Sequence, residues 1–209
     1  TTKNDESFLR LLLIKEYNVT AYMTSDLHFD HKNICKFTDR QLVVDQEHHT
    51  EWLIDIWNTT VKNSDRIFHL GDFSFATKYE DIASIVKKLQ GQKFFIKGNH
   101  DRSKVLEQLK ADNLIQNWYQ YEEIKLADTT ACLFHFPITS WHKQNYGSIM
   151  LHGHSHGAFI EGKGKILDVG IDSAYNIKKK HSFFSEEEIK EYLQQREIYV
   201  ADQHRSVKE

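Results

Sequence analysis

A chain of 209 residues suits one domain, and 40% hydrophobic with 27% charged residues is the composition of a folded soluble protein, not a disordered one. A formal net charge of -3 argues against a dedicated electrostatic grip on nucleic acid. Cys35 and Cys132 stand apart with no CxxC pair, which fits a reducing, cytoplasmic setting; the apolar run FLRLLLI at 8–14, broken by Arg10, is too short to cross a bilayer.

In chain order, residues 5–17 read as a short helix with one broad apolar face. VTAYMTS at 19–25 is β-branched and aromatic enough for a buried strand. Within EHHTEWLIDIWNTTV, Trp52, Ile56 and Thr59–Thr60 recur at helical spacing. RIFHLGD at 66–72 reads as a strand, DIASIVKKL at 81–89 as a helix, KFFIKGN at 93–99 as a third strand, and residues 104–110 as another helix. Strands then follow at 119–126, 130–136, 148–152 and 165–169. Ser185 precedes EEEIKEYLQQR as an N-cap with acidic residues in the first turn, which predicts a C-terminal helix. There is one proline, Pro137, and no Pro/Gly-rich linker. The expectation is an α/β domain over 19–197 with a helical extension at 1–18 and a polar tail at 198–209. Its architecture would be a central β-sandwich of two mixed sheets flanked by helices.

Five polar clusters fall at or beyond strand ends: DLH at 26–28, GD at 71–72, GNHD at 98–101, His135, and GHSH at 153–156. Strand ends on one edge of a sheet converge in space, which is where α/β proteins build sites. If the backbone stays extended, Asp26 and His28 share a face and can grip one ion, and the same geometry brings His154 and His156 together. Singly, each cluster is weak: a lone GD is a turn more often than a ligand, and an isolated histidine is usually a satisfied packing residue. The order of all five carries the signal.

That series resembles the calcineurin-like metallophosphoesterase superfamily over about residues 22–172. SDLHFDHKNI, HLGDF and LHGHSHG are similar to the small stand-alone phosphoesterases of bacteria and phages. The resemblance implies a dinuclear metal centre in which Asp26, His28 and His156 bind one ion, Asn99, His135 and His154 bind the other, and Asp72 bridges both. It also implies His100 as catalytic histidine, oriented by Asp101, and a metal-bridging hydroxide as nucleophile. Mixed imidazole, carboxylate and amide ligands suit divalent transition metals, manganese first, with Fe, Ni, Co or Zn as alternatives. With Asn99 neutral, two divalent ions would keep a surplus of positive charge for an anionic phosphate.

GDFSFAT and GNHD stand where the protein-phosphatase branch carries GDxxDRG and GNHE, so the expected substrate is a small phosphodiester, cyclic or short nucleotides among the candidates. A phosphomonoesterase, a nuclease on polymers and a non-catalytic scaffold are the alternatives. The acidic balance weighs against the nuclease, and the complete ligand set weighs against the scaffold. His31 and Arg40 are candidate substrate contacts, Arg40 because a guanidinium fork suits phosphate oxygens; their plainer roles are loop packing and a surface arginine. His152 reads as packing or support for the ligands, Asp168 and Asp172 as structural support, and His48, His49 and His204 as exposed.

Overall fold

The computed structural model describes residues 19–42, 44–45, 47–158 and 162–199. The helix expected at 5–17 and the tail beyond residue 199 lie outside them. Strand β1 (Ala21–Thr24) is followed by a four-residue helix α1 (Ile34–Phe37), a 3-10 turn (Asp39–Leu42) and helix α2 (His49–Thr60). Next come β2 (Arg66–His69), α3 (Tyr79–Val86), β3 (Gln92–Ile96), α4 (Ser103–Ala111) and β4 (Asn117–Tyr119). The second half supplies β5 (Tyr121–Leu126), β6 (Thr129–Phe134), β7 (Ile149–His152), β8 (Ile166–Asp168), α5 (Ile171–Lys178), β9 (Phe184–Ser185) and α6 (Glu186–Gln194).

These strands form two mixed sheets, the α/β sandwich expected from the sequence. One sheet runs β4-β3-β2-β1-β9, parallel except for β9; the other runs β5-β6-β7-β8, with β5 and β6 antiparallel and the rest parallel. Alternation along each strand decides what faces what. Ala21, Met23, Phe68, Leu70 and Ile96 of the first sheet meet Ala131, Leu133, Ile149, Leu151 and Leu167 of the second. The opposite face of the first sheet, through Ile67 and Phe95, packs on Leu53 and Trp57 of α2, Ile82 and Val86 of α3, and Leu106 and Leu109 of α4. Cys132, Met150 and Ile166 turn to the outer face of the second sheet under Trp141.

One expectation needs correction. The single strand expected at 119–126 is two strands in different sheets: Phe94–Ile96 pair with Asn117–Tyr119, whereas Tyr121–Leu126 pair with Phe134–Thr129. The helix over residues 171–178, with Asp172 in its first turn and Lys178 in its last, was not among the expected elements. The C-terminal helix is capped as expected: the Ser185 hydroxyl accepts from the Glu188 N–H, and the Glu188 carboxylate accepts from the Ser185 N–H.

Candidate metal centre

The carboxyl ends of β1, β2, β3, β6 and β7 open onto one edge, and pairing continues past the strands into the loops that leave them. Asp26 N–H donates to Gly71 C=O (3.0 Å), His28 N–H to Asp72 C=O (3.1 Å), and Gly153 N–H to His135 C=O (3.0 Å). Loops from separate strands are thereby held in register before any side chain contributes. Gly98 and Gly153 permit the closest approaches: a Cβ at Gly98 would collide with Asp72, and one at Gly153 with Ser25 and the Asp26 carboxylate.

The backbone at these ends is not extended, which corrects the geometry expected for DLH and GHSH. Asp26 (φ 56°), His28 (52°), Asp72 (57°), His154 (70°) and His156 (48°) all occupy the left-handed region. An L-residue there costs about 1–3 kcal/mol, and such residues persist where their surroundings hold them, commonly at functional sites. One consequence is that His154 and His156 part company. His156 joins Asp26 and His28, while His154 joins Asp72 and His135; within each trio the ligand atoms lie within 4.8 Å of one another.

In the first group, Asp26 Oδ1 lies 3.8 Å from both His28 Nε2 and His156 Nε2. Asp26 Oδ1 and both ring nitrogens of His28 are buried with no hydrogen-bond partner. Such orphans are costly, and their spacing falls within the roughly 4 Å that two ligands of one ion, each at about 2.0–2.2 Å, can span. The other Asp26 oxygen is satisfied: Oδ2 accepts from Ser25 Oγ–H (2.5 Å) and the His154 N–H (2.8 Å). Burial opposes ionisation of Asp26, but His28, His156 and His135 with the Ser25 hydroxyl hold its carboxyl well below the usual range.

In the second group, His135 Nδ1–H donates to the Leu70 carbonyl (2.8 Å), which leaves Nε2 facing Asn99 Oδ1 at 2.9 Å and Asp72 Oδ2 at 3.5 Å. His154 Nδ1 lies 3.1 Å from the same Asn99 oxygen. A neutral imidazole would there aim a lone pair at two oxygens, an arrangement that needs a proton or a cation between them. Asp72 Oδ2 also lies 3.8 Å from His28 Nε2, so one carboxylate oxygen touches both groups. The seven residues therefore fit two cations of the transition-metal class.

His100 stands exposed beside them, its Nε2 3.9 Å from Asp72 Oδ2 and its ring 4.5 Å from Phe75. The other face of this wall is His31, stacked on Phe75 at 3.9 Å and 5.6 Å from the His28 ring. The Asp101 carboxylate bonds backbone groups around His100. Its Oδ2 accepts from the N–H groups of Gly98 and Asp72 (2.8 Å each) and its Oδ1 from Phe73 (3.0 Å), so it ties the GNHD turn to the loop carrying Asp72. Arg40 is neither a surface arginine nor a phosphate clamp. It is wholly buried, and its guanidinium grips Asp172 through two 2.8 Å bonds. His49 is likewise buried, 3.2 Å from Arg40 Nη1, where an exposed helical position was expected.

Asp168 and Asp172, expected as structural support, take specific partners that the sequence did not indicate. Asp172 Oδ2 accepts from His156 Nδ1–H at 2.7 Å, fixing the tautomer that presents Nε2 to the first group. Asp168 accepts from Gly157 N–H (3.0 Å) and Gly170 N–H (2.8 Å), anchoring the loop that carries His154 and His156, and its pKa is pushed up to about 7 by burial and by Asp26. An acidic residue beginning a helix just after a strand end was the available signal for Asp172.

A family model described as the calcineurin-like phosphoesterase superfamily domain matches residues 22–183. The gene 66 protein of Mycobacterium phage L5 is 27% identical over 181 residues, covering 73% of this chain and 86% of the phage protein. The protein MJ1445 of Methanocaldococcus jannaschii is 30% identical over 158 residues, covering 72% of this chain and 81% of that protein. Among solved structures, that of the Aquifex aeolicus protein AQ665 superposes with a TM-score of 0.63 at 25% identity, covering 84% of this chain and 100% of that one.

Proposed function

Because the chain belongs to the calcineurin-like phosphoesterase superfamily, we propose that it hydrolyses small phosphodiesters, nucleotide-type diesters among them, at a centre of two divalent metal ions. The observation that carries this reading is the shared carboxylate oxygen: Asp72 Oδ2, 3.8 Å from His28 and 3.5 Å from His135, stands between the two ligand groups. Bound there, a pair of divalent cations would supply positive charge to the phosphoryl oxygens and lower the pKa of an attacking water. Manganese is the first candidate, with Fe, Co, Ni or Zn also matched to this donor set.

The chain's own residues do the rest. His100, exposed and on the Asp72 side with its ring against Phe75, would give a proton to the departing oxygen. Asp101 fixes the peptides on both sides of this contact. His31, whose Nδ1 is buried without a hydrogen-bond partner, borders the first group and is our candidate for a phosphate contact. The diester preference is supported by Arg40, whose N–H groups are directed inward and offer nothing to the second charge of a monoester dianion. Metal-free protein reconstituted with Mn²⁺ should cleave an aryl phosphodiester faster than the matching monoester. The reverse order would assign it as a monoesterase, and no hydrolysis of either with two ions bound would sink the catalytic reading. No helix among the described residues is long and apolar enough to cross a membrane.

A further inference from the structure

We propose that Arg40 is a positioning residue for the first ligand group alone, acting on His156 through Asp172 and on Asp26 through the backbone. The proposal rests on the reading that Asp26, His28 and His156 hold a cation. A guanidinium carries five N–H donors, and here each has a destination. Nε and one Nη2 N–H go to the two oxygens of Asp172 (2.8 Å each); the second Nη2 N–H goes to the Asp26 carbonyl (2.5 Å); Nη1 serves the Leu27 carbonyl (2.8 Å) and faces His49 Nε2 (3.2 Å). Asp172 in turn accepts from His156 (2.7 Å). One planar cation thus fixes the ring of one ligand and the two carbonyls between the others. Those carbonyls belong to the stretch in which Asp26 and His28 take φ of 56° and 52°, a conformation that needs outside support. The second group draws its bracing from elsewhere, His135 from the Leu70 carbonyl and Asp72 from the His100 N–H and the Asp101 carboxylate.

A merely stabilising ion pair would predict something different. Buried pairs can be exchanged for apolar residues with little loss of stability, and general destabilisation weakens both groups together. The deciding experiment is calorimetric titration of Mn²⁺ into the metal-free full chain, with electron paramagnetic resonance of the loaded protein. Wild type should bind two ions and give the signature of a coupled pair; uptake of fewer than two would overturn the underlying reading, whatever Arg40 does. Arg40→Lys keeps the charge but cannot reproduce the fork. It should weaken one of the two ions by about 10–100-fold, the usual cost of losing a ligand's supporting partner, and show a single-ion spectrum at low loading. Ile189→Ala, on the buried face of α6, is the control for lost stability and should keep both ions. Arg40→Lys binding both ions at wild-type affinity, or losing both alike, overturns the proposal. If Arg40→Lys does not fold, Arg40→Met with Asp172→Leu replaces the pair by apolar side chains. That variant folded with one weakened site supports the proposal, and folded with two intact sites overturns it.

Discussion

The two candidate ligand groups each pair imidazoles with a carboxylate, the second adding the Asn99 amide, and they differ in their bracing. Asp26 and His28 are buried, and behind them stand Ser25, Asp172 and Arg40, so the first group is gripped from the protein interior. The second pairs buried Asp72 and His135 with His154 and Asn99, both exposed. One group is thus held from within, and the other is completed at the surface, where Asn99 and His154 meet solvent. Two residues tie them together. Asp72 offers one oxygen to both, and His154 gives its N–H to Asp26 while its ring serves the second group. The difference is therefore one of support as well as of ligand type, since the Asn99 amide stands in the second group where the Asp26 carboxylate stands in the first.

If the groups differ in holding cations, a residue that ligates neither should be removable without touching metal content. His100→Ala is the strongest form of that test. Diester turnover should fall by about 10²–10⁴-fold, the usual contribution of a positioned acid, while the protein still takes up two ions. Steady-state kinetics with elemental analysis of the same samples checks both halves. Lost turnover with lost metal would make His100 part of the holding apparatus and break the distinction.

What the sequence shows of this arrangement, and what it hides, follows from the range of each interaction. DLH, GD, GNHD, His135 and GHSH stand out because ligand chemistry needs particular residue types, and the structure brings the seven expected ligand residues to one edge. Strands β1, β2, β3 and β7 are legible because parallel strands buried on both faces read as apolar runs. The division at Gln120 is not, since tyrosines lie on either side of it and no glycine or proline marks the passage between sheets. The eight-residue α5 offers apolar Ile171 and Ala174 at helical spacing, too little for a period to show. Arg40 and Asp172 lie 132 positions apart, and nothing local announces their pairing. The contacts of Asp101 are hidden for a related reason: its backbone partners Asp72 and Phe73 come from another loop and leave no trace in the side-chain pattern.

A second test separates bracing from stability at large. His69 is wholly buried between Phe73 and Phe95, both its ring nitrogens lack hydrogen-bond partners, and burial drops its pKa to about 3. The unfolded chain takes up this proton below about pH 6.5 and the folded chain does not, so metal-free stability falls as pH drops from there toward 3. This group contributes up to about 1.4 kcal/mol per pH unit to that slope. His69→Phe should remove that share in denaturant unfolding between pH 6 and 4, while the difference between the two metal affinities stays as in wild type. A changed affinity ratio would mean that the difference reflects the whole core and not the local braces.

The smallest expected effect tests the brace at its finest point. Ser25 is buried, and its hydroxyl donates to Asp26 Oδ2, the oxygen turned away from His28 and His156. Ser25→Ala removes that bond but leaves the His154 N–H on the same oxygen, so the carboxylate keeps one of its two restraints. The loss should be about 1 kcal/mol, or about five-fold in affinity, and confined to the ion of the first group. Because His154 then carries the remaining restraint alone, any spread to the second ion would travel through that residue. Manganese titration of the variant resolves the two cases: one weakened ion locates the difference in the bonds behind Asp26, whereas equal weakening of both makes the two groups a single mechanical unit.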